Sequence, residues 1–260
     1  MSKQPIGIFD SGVGGTSIWK EIHELLPNEH TIYLADSNNA PYGAKEKETI
    51  IGLCIKNTEL LLNKGCKLIV VACNTATTNA IDYLRKTYDV PFIGIEPAIK
   101  PAALQTKTNT VGVLATKGTL SSALFSKTSD LFASNIKLIE QIGDGIVPLI
   151  ENGNLYSEDM KLLLKNYMQP MIDANIDCLV LGCTHYPYLI PILKDMLPKH
   201  VTIIDSGEAV ARQTKAVLKA DNLLKSEESI VVKSQFYTNG DLAILKSLLG
   251  NGYNVDCLDF

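Results

Sequence analysis

The sequence predicts an α/β protein of two similar lobes, each a mostly parallel sheet flanked by helices, with a cleft between them. Three observations carry this expectation. Short β-rich apolar runs alternate with segments of helical period, the pattern of parallel sheets covered on both faces. Runs such as "KLIVVA" and "TVGVLA" are apolar almost throughout, as strands buried on both faces are. Nine candidate strands are many for one open sheet, which favours a division into two.

In chain order the strands are expected at 5–9 ("PIGIF"), 31–35 ("TIYLA"), 67–72 ("KLIVVA") and 91–95 ("PFIGI"). They continue at 110–115 ("TVGVLA"), 135–140 ("NIKLIE"), 178–182 ("CLVLG"), 201–205 ("VTIID") and 230–238 ("IVVKSQFYT"). Ile18, Ile22, Leu25 and Leu26 mark one helix, and Ile51, Cys54, Ile55, Leu61 and Leu62 another. The clearest helical face is Met160, Leu163, Leu164, Tyr167, Met168, Met171 and Ile172. "EPAIKPAAL" (96–104), with two prolines, is expected to cross from the first lobe to the second, and "DSGEA" (205–209) to bring the chain back. The first lobe then comprises 1–96 plus 208–260, and the second 97–207. Each half holds an apolar strand that ends in a cysteine followed by polar residues and a helix, a hint of duplication without recognisable repeat identity.

Composition narrows the function classes. An apolar fraction of 46%, a charged fraction of 20% and a net charge of −4 describe a soluble globular protein, here expected to be cytoplasmic. No apolar run has the length of a signal peptide core or a membrane span. The lysines are scattered, so no basic face favours nucleic acid. Six cysteines occur without a C-x-x-C pair, which removes the main support for zinc-ribbon or thioredoxin-type chemistry. In a reducing compartment they are expected to be free thiols.

The residues just after the strands are where ligands bind in open α/β sheets. "GIF" leads into Asp10-Ser11, "YLA" into Asp36-Ser37, and "VVA" into Cys73-Asn74-Thr75. "VLA" leads into Thr116, with Thr119 close behind, and "VLG" into Cys183-Thr184-His185. Each motif also has a plain structural reading. "DSGVGG" (10–15) reads as a tight strand-to-helix turn, but its carboxylate also suits a ligand ammonium, which favours more than the turn alone. It is not a dinucleotide fingerprint, because Ser17 stands at the third glycine position. Cys73 or Cys183 alone reads first as a core residue, and His185 alone as a structural histidine. "APYG" (40–43) reads as a proline-directed turn.

The pair of cysteines shifts the balance, because each stands at an equivalent place in its lobe and leads into a helix. A helix N-terminus offers free N–H groups and partial positive charge, an arrangement expected to favour thiolate and to hold a carboxylate. A disulfide does not suit the compartment. Zinc on Cys73, Cys183 and His185 lacks an evident fourth ligand. Two-base proton transfer needs what is present: one thiolate removes a proton from carbon while a thiol delivers one to the opposite face, giving the mirror image. Asn74, Thr75 and Thr184 are positioned to hold a carboxylate as charge builds on it, and Asp10 and His185 to handle the thiols' protons or the ammonium. No lysine lies in these motifs, so no pyridoxal cofactor is expected.

"GIFDSGVGG", "PYG" (41–43), "ACNTAT" (72–77) and "GCTHYP" (182–187) together resemble glutamate racemase, of the cofactor-independent amino-acid racemases, and the likeness runs at least to "IIDSGEAVA" (203–211). The resemblance implies that Cys73 is the base toward D-glutamate and Cys183 the base toward L-glutamate, assisted by Asp10 and His185. It implies substrate contacts from Ser11, Tyr42, Gly43, Asn74, Thr75 and Thr184, and more weakly from Thr116 and Thr119. It further implies glutamate as substrate, no metal or cofactor, a role in supplying D-glutamate for peptidoglycan, and a homodimer. The rivals are the same chemistry on aspartate, a non-catalytic binding protein on this fold, and a hydrolase or lyase with one nucleophilic cysteine. Ala35, Ser37, Asn39 and Thr16 depart from the residues usual in that family. Asn39, where a cation is usual, is expected to weaken binding of an anionic substrate or to alter regulation.

Overall fold

A computed structural model describes residues 3–225 and 232–260 of the chain. Its strands are β1 (Ile6–Asp10), β2 (Thr31–Ala35), β3 (Leu68–Val71), β4 (Phe92–Gly94) and β5 (Thr110–Ala115). They continue as β6 (Lys137–Ile142), β7 (Cys178–Gly182), β8 (Thr202–Ile204), β9 (Ser234–Thr238) and β10 (Asn254–Cys257). The helices are α1 (Thr16–Leu25), α2 (Lys47–Asn63), α3 (Asn74–Thr87), α4 (Ile99–Gln105), α5 (Lys117–Leu120) and α6 (Ala123–Phe132). After them come α7 (Ile146–Glu151), α8 (Glu158–Asp173), α9 (Ile190–Met196), α10 (Gly207–Ala220) and α11 (Leu242–Leu249).

Two all-parallel sheets result, ordered β10-β9-β2-β1-β3-β4 and β6-β5-β7-β8. β1, β2, β3 and β7 are buried along their whole length, which is why their sequences are apolar without alternation. The helices supply the cover. In α8, Ser157 Oγ caps the Met160 N–H at 3.2 Å, Glu158 and Asp159 occupy the first turn, and Met160, Leu164, Met168 and Met171 are buried. The chain passes between sheets twice, from β4 through α4 to β5 and from β8 through α10 to β9.

Three strand assignments differ from expectation. β6 lies two residues later than "NIKLIE", because at an exposed edge its alternating side chains leave the boundary to pairing with β5. β9 starts at Ser234, and residues 230 and 231 lie outside the described residues. β10 was not anticipated: "NVDC" buries only Val255, so it carries no apolar run. The segment expected as a bare crossing contains α4, with Pro101 in its first turn, where the missing N–H costs no helical bond.

Away from the cleft, Lys67 and Glu29 form a buried ion pair at 2.6 Å, with side chains 1% and 2% exposed. Glu29 also accepts the Lys225 N–H at 2.8 Å, and Lys67 donates to the Leu223 carbonyl at 2.9 Å. The cluster ties the approaches to β2 and β3 to the chain beyond α10. Removing one member of such a pair leaves the other charge in the interior, so Glu29→Ala is expected to cost about 3–5 kcal/mol, read from the urea midpoint.

Candidate active site between the two sheets

β1 delivers Asp10 to the cleft end of the first sheet, where the chain turns through "SGVGG" into α1. The Asp10 carboxylate is fully buried. It accepts the Gly15 N–H at 2.8 Å, the Thr184 hydroxyl at 3.3 Å and the Ser11 hydroxyl at 3.5 Å. Burial, outweighing the nearby charge of His185 and the Gly15 N–H, pushes its pKa up to about 6. Two of the glycines here answer to the other lobe. A Cβ on Gly12 would strike the Glu151 carboxylate, and one on Gly14 the His185 ring.

Cys73 follows β3 and is the N-cap of α3. Its Sγ lies 3.5 Å from the Ala76 N–H, which it accepts, and 3.6 Å from Ser11 Oγ. The helix end was expected to favour thiolate here. The opposite holds: burial first, then the charge of Asp10, raises the Cys73 pKa well above that of a free thiol, and the two hydrogen bonds recover only part. The thiol form of Cys73 is therefore favoured over the thiolate.

Cys183 follows β7, but leads into a short 3₁₀ turn, Tyr186–Leu189, and only then into α9. Its Sγ is 3.7 Å from His185 Nδ1. His185 Nε2 meets Glu151 Oε1 at 2.5 Å. Glu151 in turn accepts the Val13 N–H at 2.7 Å on Oε1 and the Ser37 hydroxyl at 2.8 Å on Oε2. Burial alone would lower the His185 pKa, but its bonds to Cys183 and Glu151 together prevail and hold it well above the usual value. The proton that these bonds favour on His185 lies in reach of the sulfur.

Cys73 and Cys183 line one narrow cavity together. Ser11, Tyr42, Gly43, Asn74, Thr75, Thr116 and His185 complete its polar and backbone lining, and Pro41 and Val147 its apolar edge. Asn74 is 3% exposed, and both polar atoms of its amide lack a protein partner, as suits a group that waits for a ligand. Thr75, from the first lobe, meets Thr116 and Thr119 at 2.8 and 3.5 Å, so three hydroxyls join across the cleft.

Not every candidate faces the cavity. Thr119 is fully buried behind Thr116, Thr184 turns its hydroxyl to Asp10, and Asp10 itself sits one layer back. The Tyr42 hydroxyl is spent on Asp36, 2.5 Å away. Asn39, expected to matter as a missing cation beside a substrate, instead donates to Asp36 Oδ1 at 2.8 Å and does not line the cavity. Thr16 binds the Val13 carbonyl at 2.6 Å and meets the Tyr188 hydroxyl at 2.5 Å.

Glu151 escaped the sequence reading, although one local signal marks it. A carboxylate on the last residue of a helix opposes the helix dipole, and such a violation of local preference needs a reason elsewhere. Here the reason is His185 and the Val13 N–H.

A family model described as Asp/Glu/Hydantoin racemase matches residues 6–214. A glutamate racemase of Pseudomonas syringae pv. tomato is 49% identical over 223 residues, covering 85% of this chain and 81% of its own. Another, from Herpetosiphon aurantiacus, is 45% identical, covering 94% and 95%. Among solved structures, a glutamate racemase isoform from Bacillus anthracis aligns at a TM-score of 0.87 and 31% identity, covering 100% of this chain and 98% of that one. The Escherichia coli glutamate racemase in complex with L-glutamate and an activator aligns at 0.86 and 32%, covering 98% and 97%.

Proposed function

The chain belongs to the Asp/Glu/Hydantoin racemase family, and from that premise we propose that it interconverts L- and D-glutamate by proton transfer between two thiols and the α-carbon, without a cofactor. The observation that carries this reading is that Cys73 and Cys183, from different sheets, line one cavity. In the direction that forms D-glutamate, the Cys183 thiolate removes the α-proton of L-glutamate. The electron pair left on carbon delocalises into the α-carboxylate, and the Cys73 thiol gives its proton to the opposite face. The reverse direction exchanges the two roles, so each turnover leaves the proton on the other sulfur. A Cys73 held as thiol suits the donor role in the direction that forms D-glutamate.

Asn74 and Thr75, at the first turn of α3, are assigned to the substrate carboxylates, where the Asn74 amide has unspent hydrogen-bonding capacity. Asp10, linked to Cys73 through Ser11, is assigned to the Cys73 proton and, by its charge from one layer behind the cavity, to balancing the substrate ammonium. A bound ammonium supplies the positive charge that the Cys73 thiol otherwise lacks. His185, braced by Glu151, is assigned to the Cys183 proton. Tyr42, Gly43, Thr116, Thr119 and Thr184 shape or support the pocket. Glutamate, rather than aspartate, is taken from relatives 45–49% identical. The same kinship supports a cytoplasmic homodimer that supplies D-glutamate for peptidoglycan. No helix among the described residues is long and apolar enough to cross a membrane.

Incubation of either glutamate enantiomer in D2O, without added cofactor, tests the reading. Loss of optical rotation is expected with one solvent deuterium at the α-carbon of the product, and aspartate is expected to react far more slowly. Racemisation without deuterium incorporation would exclude proton transfer through exchangeable thiols. Preference for aspartate would move the assignment within the family.

A further inference from the structure

Glu151 belongs to α7 of the second lobe, yet two of its three hydrogen bonds come from the first. Val13 N–H and His185 both use Oε1, and the Ser37 hydroxyl alone holds Oε2. Fixing the second oxygen fixes the rotation of the carboxylate, and with it the lone pair that Oε1 directs at His185 Nε2. The ring so held keeps Nδ1 facing Cys183 Sγ. Ser37 therefore stands three links from the sulfur, and the link it supplies crosses between the lobes.

Ser37 is itself held from behind. Asn38 N–H donates to Asn239 Oδ1 at 3.0 Å, and Asn239 Nδ2 donates to Asp36 Oδ1 at 2.6 Å. The turn after β9 thus holds the Asn38 backbone on one side of Ser37 and the Asp36 side chain on the other. Gly240 leaves just enough room, since a Cβ there would lie 2.6 Å from Ser37 Cβ. A hydroxyl placed by so many constraints, and spent on a carboxylate of the other lobe, has more to do than satisfy a surface turn.

We propose that Ser37 is a positioning residue for the acid–base action of Cys183: its hydroxyl orients Glu151, and through it His185, and forms that bond only when the two lobes are together. The proposal rests on the paired-thiol reading above. Its consequence is directional. Loss of the hydroxyl slows proton transfer at Cys183, while the Cys73 step, on the other side of the cavity, keeps Ser11, Asp10 and the Ala76 N–H.

The test compares Ser37→Ala and the near-isosteric pair Ser37→Thr and Ser37→Val, using L- and D-glutamate deuterated at the α-carbon. The equilibrium constant of racemisation is unity, so kcat/KM must fall equally in both directions. A drop of about 10–100-fold is expected for Ala and Val, the worth of a hydrogen bond to a charged group. Thr keeps the hydroxyl and is expected to remain within about threefold of the native protein. The directional signature is the primary isotope effect on kcat/KM. It is expected to rise for L-glutamate, whose proton Cys183 removes, and to fall for D-glutamate, whose proton Cys73 removes. A purely structural role for Ser37 lowers rates without splitting the two effects, and that outcome, or a Thr variant as impaired as Val, overturns the proposal. Should Cys183→Ala itself retain racemisation, the paired-thiol reading fails instead, whatever the Ser37 variants do.

Discussion

Cys73→Ala and Cys183→Ala are each expected to lower racemisation by about 10²–10⁴-fold or more, because each removes a proton-transfer group that nothing else in the cavity replaces. Both variants lose racemisation, but what survives in each is opposite. Cys73→Ala keeps the Cys183, His185 and Glu151 chain, with Glu151 10% exposed at its outer end. In D2O that variant is expected to exchange the α-proton of L-glutamate slowly, with retention, and to leave D-glutamate untouched. Cys183→Ala is expected to do the reverse, more slowly, since Asp10 behind Cys73 is fully buried. Proton NMR of the α-position with each enantiomer reads all four cases. Exchange of the same enantiomer by both variants would sink the assignment of one sulfur to each face, and full activity in either would sink paired bases altogether.

Most of the frame was readable in the sequence because burial leaves a direct trace. "TIYLA", "TVGVLA" and "CLVLG" are strands with the anticipated boundaries, since strands covered on both faces are apolar end to end. β10 was lost for the converse reason: at an exposed edge, three of the four residues of "NVDC" face solvent. The cavity lining was foreseeable at Cys73, Asn74, Thr75, Cys183 and His185 because each follows an apolar run directly. The link between Glu151 and Ser37 was not, even though Ser37 stands just after β2, because it is a contact 114 residues apart across two sheets, which no local pattern records. Protonation was also misjudged from local structure. The α3 end does act on Cys73 through the Ala76 N–H, but desolvation and Asp10 outweigh it, and burial depth is a property of the assembled fold.

That same burial makes Asp10 a site where function and stability oppose each other. Its pKa of about 6 in the fold stands above the ordinary 3.8, so the folded state takes up a proton that the unfolded chain has already lost. The linked stability is fully present below about pH 3.8 and drains away as pH rises through about 6. Above that, the buried carboxylate is ionised at a cost of about 3 kcal/mol, from about two pK units at 1.36 kcal/mol each. Asp10→Asn keeps an acceptor for the Gly15 N–H and has no charge to desolvate. The variant is therefore expected to match the native protein in stability near pH 4 and to exceed it by up to about 3 kcal/mol at pH 7.5, measured by urea unfolding at both values. Its racemisation is expected to fall about 10²-fold, because an amide neither receives the Cys73 proton nor balances a substrate ammonium. A variant that gains nothing at pH 7.5 would show that Gly15, Ser11 and Thr184 already compensate the buried charge. A stable variant with undiminished turnover would remove Asp10 from the chemistry and leave it the turn residue that "DSGVGG" first suggested.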